Sequence, residues 1–141
     1  MWGFDSDTPL ALLAISVGAA LGAILRWLLG LLFNSLWPAI PPGTLLANVL
    51  GGFLMGLALC LFAQIPSPGQ YWRLFVITGF LGALTTFSTF TAEIGNLLRE
   101  EKFCTAALGI GLHVGGSLIA FFAGIGAFTL FRGVWRVLTS F

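Results

Sequence analysis

Gly82-Ala83-Leu84-Thr85-Thr86-Phe87-Ser88-Thr89-Phe90-Thr91 places five hydroxyl side chains within seven residues of a long apolar run. Glycine, paired threonines and serine all weaken a helix at this point. Hydroxyls turned toward lipid would be costly. Two readings fit this chemistry equally. In one, the segment is a hydroxyl-rich packing helix whose Ser and Thr bond back to their own turn. In the other, the helix breaks inside a membrane, and the hydroxyls re-satisfy the backbone groups that the break frees. A broken helix exposes carbonyls able to bind a cation and amides able to bind an anion.

The rest of the chain supplies the setting. Of 141 residues, 58% are hydrophobic and 8% charged, whereas a soluble domain carries about a quarter charged residues. Six Lys+Arg against five Asp+Glu leave no basic face for nucleic acid. Two cysteines provide neither a disulfide framework nor zinc spacing. Charges and prolines divide the sequence into apolar runs at 10–33, 44–63, 72–98 and 103–131, each long enough for the roughly 20 residues of a membrane helix. Asp5, Asp7 and Pro9 precede the first run, and acid there argues against a signal peptide. Asn34 to Gly43, the Pro66-Ser67-Pro68-Gly69 break and Arg99-Glu100-Glu101-Lys102 form the connections, and Trp135 and Arg136 follow the last run. The expected architecture is a single four-helix membrane domain.

Loop Lys and Arg set membrane orientation. Arg73, Arg132 and Arg136 fall on one side, with Arg99, Lys102 and a snorkelling Arg26 on the other. This balance favours insertion in both orientations and pairing of opposed copies into an antiparallel dimer, the alternative being an orientation signal outside the count. Gly18, Gly22, Arg26 and Gly30 recur every four residues, as do Thr44, Asn48, Gly52 and Gly56. Small residues at this spacing let helix backbones approach, which puts Arg26 and Asn48 on packing faces.

Arg26 is the cation furthest inside a span and a functional candidate, unless it snorkels. Asn48 offers two amide donors that must bond a helix or a ligand. Phe87 and Phe90 share a face, and ring edges carry partial positive charge. With the hydroxyls, this set favours an anion. Glu93 lies near the end of the third run, and His113 reads as a hydrogen-bonded helix contact rather than a proton relay. Cys60 and Cys104 read as small apolar residues. No Ser-His-Asp set, metal cluster or nucleotide loop is present in the sequence, so no enzyme is expected.

Gly18 through Arg26-Trp27, Gly43-Thr44-Leu45-Leu46-Ala47-Asn48-Val49-Leu50-Gly51-Gly52-Phe53, and Gly79-Phe80-Leu81-Gly82 through Phe90 closely resemble the Fluc, or CrcB, family of fluoride channels. The resemblance spans all four runs. It implies an all-α membrane protein with a third helix broken mid-membrane, forming an antiparallel dual-topology homodimer with two fluoride pathways. It further implies a multi-pass protein of the bacterial inner membrane that exports fluoride passively and protects the cell from it. Asn48 resembles the pore asparagine, Phe87 and Phe90 the two pathway phenylalanines, and Arg26 a vestibule attractor. Thr44, Ser88 and Thr89 would be polar neighbours, and Ser117 a member of a fourth-helix polar track. Gly82 and Thr85 match the break whose backbone carbonyls hold a structural sodium ion at the dimer interface. Ala83 stands where a second glycine is common, His113 where a neutral polar residue is usual, and Gly109 replaces a larger residue.

Two other classes compete on the residues alone. A small multidrug-type exporter wants a carboxylate deep in the first span, and none is there. A non-transporting assembly subunit would tolerate changes at Asn48 or Phe87.

Overall fold

Proline suits the first turn of a helix, where no amide partner is needed, and Pro9 and Pro42 stand at the starts of α1 (Thr8–Phe33) and α2 (Pro42–Phe62). The computed structural model describes residues 7–64 and 69–138. Asp5, residues 66–68 and the side chains of Trp135 and Arg136 lie outside that description. After α2 the chain forms α3 (residues 70–84), with wide π-type turns over Leu74–Leu81, and then α4 (Phe87–Arg99). Between them Thr85 (φ −75°, ψ 154°) and Thr86 (φ −145°, ψ 122°) are extended. The last helix, α5 (residues 103–138), carries a second π-type stretch at Gly111–Gly115.

Four helical segments are long and apolar enough to cross a membrane: Thr8–Leu36, Pro42–Phe62, Gln70–Arg99 and Phe103–Gly133. The apolar runs of the sequence, 10–33, 44–63, 72–98 and 103–131, fall within a residue or two of these segments or inside them. Each buries at most 22% of its most apolar window within the chain. Their outer faces, with Leu13, Leu32, Phe122 and Phe131, are exposed and apolar, as a protein solvated by lipid requires.

Glycines bring two helix pairs into backbone contact. A Cβ on Gly18 or Gly22 of α1 would strike the carbonyls of Phe75 and Phe80 in α3, and one on Gly79 would lie 2.7 Å from the Ile15 carbonyl. Likewise a Cβ on Gly52 would lie 2.6 Å from the Ser117 carbonyl, and one on Gly56 would strike that of Phe121. Thus α1 packs on α3 and α2 on α5. The expected α1 stripe stops short of Gly30, whose Cβ would meet only the Asn34 side chain, 3.2 Å away in the next turn. Ala47, Ala58, Leu81 and Leu84 form the apolar centre between the pairs. At the far end of α4, Glu101 is left-handed (φ 59°), and the Lys102 amide closes the helix on the Leu97 carbonyl at 2.9 Å.

Because the α1–α3 contact is backbone to backbone, one methyl is enough to force it apart. Gly22→Ala is expected to destabilise the fold by about 1–3 kcal/mol. Gly126→Ala, whose added methyl meets nothing within 4 Å, is expected to leave stability unchanged or raise it. Thermal unfolding of the two variants in detergent measures the difference.

Candidate functional site

An extended Thr86 gives up helical bonding, and a buried amide or carbonyl left unpaired is costly. Asn48, projecting from α2, takes up both groups. Its Oδ1 accepts from the Thr86 amide at 2.7 Å, and its Nδ2 donates to the Thr86 carbonyl at 3.1 Å. The remaining hydrogen on Nδ2 points to Nδ1 of His113 at 3.0 Å. A carboxamide has two N–H donors, so both are engaged. This arrangement requires Nδ1 to be the accepting, unprotonated nitrogen of the imidazole.

His113 sits in the π-type stretch of α5 and is 4% exposed. The Phe90 ring lies against it with centroids 5.0 Å apart, and Phe87 is 5.6 Å from Phe90. On the other side, Nε2 lies 4.0 Å from Glu93 Oε2, beyond hydrogen-bond range. Glu93 Oε1 accepts from the Thr44 hydroxyl at 2.7 Å, and the Thr44 amide donates to Asn34 Oδ1 at 3.2 Å. Polar groups therefore run from Asn34 through Thr44, Glu93, His113 and Asn48 to Thr86. Beyond Glu93, in the connection to α5, Lys102 stands 2.8 Å from Glu100 and holds that exposed carboxyl below the usual carboxylate range. A solvated pair of this kind contributes little to stability.

Thr86 also starts α4. Its hydroxyl accepts from the Thr89 amide at 3.1 Å and donates to Thr89 Oγ1 at 3.0 Å, with Ser88 Oγ 3.3 Å away. The residue lines two cavities. One, about 380 Å³, is bordered by Asn48, Phe87, Phe90, His113 and Ser117. The other, about 480 Å³, holds Arg26, Trp27, Asn34, Thr44 and Thr89.

The expected site residues thus divide. Asn48, Phe87, Phe90 and Ser117 share the first cavity, and Thr44, Thr89 and Arg26 share the second. Ser88 is exposed at the start of α4. Among the described residues Arg26 has no ion-pair partner, and the Ser117 hydroxyl is the buried side-chain polar atom without a hydrogen bond. Phe87 and Phe90 differ sharply, at 78% and 9% exposure in the single chain. Thr86, at the centre of the network, was quoted in the sequence but not singled out. A threonine is a favoured residue before the first turn of a helix, but Thr85, Ser88 and Thr89 offer the same hydroxyl.

The backbone also suits a hard cation. In a continuous helix the Thr86 and Thr89 amides would bond the carbonyls of Gly82 and Thr85. Those amides instead serve Asn48 Oδ1 and Thr86 Oγ1. Gly82 and Thr85 are thus the first and last of the four residues, Gly82 to Thr85, whose carbonyls lose their α-helical donors at the break, and neutral oxygens are the donors that hard cations take.

Comparison with known proteins bears on this geometry. A family model described as CrcB-like protein, Camphor Resistance (CrcB), matches residues 13–125. The chain is 58% identical over 119 residues to a protein of Chromohalobacter salexigens named fluoride-specific ion channel FluC, covering 84% of this chain and 90% of that one. A protein of the same name from Chromobacterium violaceum is 52% identical over 122 residues, covering 86% and 97% of the two chains. Another from Pseudomonas aeruginosa is 56% identical over 115 residues, covering 82% and 91%.

The cap makes its own expectation. Thr86→Ala removes an acceptor that the Thr89 amide uses and should lower stability by about 1 kcal/mol, while Thr86→Ser should retain most of it. Thermal unfolding in detergent, with wild type alongside, reads the loss and its rescue.

Proposed function

The chain belongs to the CrcB family, a family of ion channels and not of enzymes, and from that premise we propose that it conducts fluoride passively out of the cell. In this reading it acts as an antiparallel dual-topology homodimer in the bacterial inner membrane, with two pathways and a central structural sodium ion. The observation that carries the reading is the cavity between α2, α4 and α5, where Asn48, Phe87, Phe90 and the unpartnered Ser117 hydroxyl meet.

Fluoride is small and strongly hydrated, so a path for it must offer donors in place of water. The Ser117 hydroxyl is an uncommitted donor, and the edges of Phe87 and Phe90 add weak positive potential. Asn48 shapes the same wall while its amide hydrogens hold Thr86 and His113. Several weak sites in series let an ion enter and leave, which one strong site would not. Arg26 stands in the neighbouring cavity, where its charge draws anions without holding them in the narrow path. A membrane potential negative inside, worth about 2.3 kcal/mol per charge per 100 mV, drives export, and no fuel site is required.

The break between α3 and α4 lies mid-membrane in this arrangement. There the Gly82 and Thr85 carbonyls of each subunit would hold sodium across the dimer axis, a fixed positive charge tying the two copies together. Phe87, so exposed in one chain, would be covered by the second copy and serve a pathway built from both.

The test is voltage-clamped fluoride efflux from liposomes holding the purified protein, with chloride-loaded liposomes as control. Rapid fluoride release with little chloride release is expected, and no release from a folded dimer would overturn the proposal. Asn48→Asp should cut fluoride flux about a hundredfold or more, since like charges 4 Å apart in partly buried surroundings repel by about 4 kcal/mol. Flux left unchanged would remove Asn48 from the pathway. Phe87→Ile and Phe90→Ile should each impair flux with the dimer intact by size-exclusion chromatography. Loss of the dimer would make them packing residues.

A further inference from the structure

His113 is the chain's sole histidine, and its ring takes up the second hydrogen of the Asn48 amide, whose facing the two Thr86 bonds fix. With Nδ1 unprotonated, Asn48 Nδ2 donates to the ring and to the Thr86 carbonyl while Oδ1 accepts from the Thr86 amide. A proton on Nδ1 would set donor against donor at a separation of 3.0 Å. Turning the amide over does not repair this. Oδ1 would then accept from His113 but face the Thr86 carbonyl, and Nδ2 would face the Thr86 N–H. One bond is gained and two are lost. A doubly protonated imidazole therefore cannot keep its place against Asn48 while the clasp on Thr86 stands.

We propose that His113 is a positioning residue of the ion pathway: its accepting Nδ1 holds the Asn48 amide on Thr86, and acidification releases that hold and lowers flux. The proposal rests on the fluoride-channel reading above. Its components come from three elements, α2 with Asn48, α5 with His113 and the Thr86 turn, so a change at the ring reaches the helix start that borders both cavities. The charged group facing the ring is Glu93 of α4, 4.0 Å from Nε2. From α2, Thr44 and Asn48 do not titrate, and on α5 itself Gly109 and Ser117 carry no charge. Arg26 of α1 opens into the other cavity. Glu93 attracts a protonated ring, which gives the imidazolium a place to turn as it leaves Asn48.

Two measurements test this. The first is the ¹⁵N spectrum of labelled protein in detergent, in which a single imidazole gives an unambiguous signal. An unprotonated Nδ1 with a protonated Nε2 at pH 7.5 is expected, and the opposite tautomer overturns the proposal. The second is fluoride efflux from liposomes between pH 7.5 and pH 5.5, with protein-free liposomes subtracting leakage of hydrogen fluoride. Wild-type flux should fall toward the acid end of this range as the imidazole protonates. His113→Asn, whose Oδ1 takes the place of Nδ1 and does not titrate, should lose the acid response, its flux at pH 5.5 matching its own flux at pH 7.5. Glu93→Gln should move the acid response to lower pH, because the nearby carboxylate favours the imidazolium. A flat wild-type profile, the same acid loss in His113→Asn, or an acid loss that sets in at higher pH in Glu93→Gln than in wild type would each overturn the proposal. If His113→Asn fails to fold, the tautomer and the Glu93→Gln profile still decide. Absence of wild-type flux at pH 7.5 would instead defeat the channel reading itself.

Discussion

The paired hydrogen bonds between the Asn48 side chain and the Thr86 backbone are the constraint around which the molecule is arranged. A chain cannot leave helical geometry in an apolar interior unless other groups replace the bonds given up. One carboxamide does so for both polar groups of one peptide residue, and only if α2 lies against the break. Gly51 permits that approach, since a Cβ there would overlap the Thr85 methyl. Gly52 and Gly56 in turn bring α5 onto α2, which delivers His113 to the second amide hydrogen. The glycines of α2 thus serve the polar bonds as much as the apolar packing.

Charge is kept one step back from the narrow cavity. Asn48, Thr86 and Ser117 are neutral, and the arrangement around His113 calls for a neutral ring. Arg26 lies across Thr86 in a separate space, while Glu93 is bonded by Thr44. For an anion path this matters energetically. A guanidinium in direct contact would bind the ion too well, and a carboxylate would repel it. Neutral donors with a cation at some distance give attraction toward the site and shallow wells within it. The polar line from Asn34 to Thr86 is therefore structural scaffold and electrostatic design together.

Much of this was legible in the sequence, for identifiable reasons. The four spans follow from composition, because apolar length and sparse charge need no partner to be recognised. Gly18 with Gly22, and Gly52 with Gly56, show their contact faces through helical spacing alone. Ser117 entered through the family resemblance alone, since a single hydroxyl on an apolar helix carries no signal of its own. Gly30 misled, since spacing says which residues share a face but not where the neighbouring helix ends. Thr86 was hidden by its resemblance to the hydroxyls around it, and what distinguishes it are backbone bonds to a residue 38 positions away. The contact between Asn48 and His113 spans 65 positions, and no local pattern encodes a partner at that distance.

The distribution of burial finally bears on the proposed dimer. The cavity at Asn48 and Ser117 opens onto the side where Phe87 is 78% exposed. Gly82, Ser88, Thr89 and Thr91 are exposed as well. Apolar Phe87 could face lipid without cost, and the hydroxyls of Ser88, Thr89 and Thr91 already have partners within the chain, but backbone carbonyls without helical donors could not. Neither water nor hydrocarbon suits both kinds of group at once. In the proposed dimer a second copy presenting the same mixture would, because ring could cover ring while carbonyls from both sides converged on a cation. The hydroxyl-rich break thus connects the proposed dimer to the proposed pathway: the groups that make a lone subunit unfit for lipid are those that two subunits together would turn toward ions.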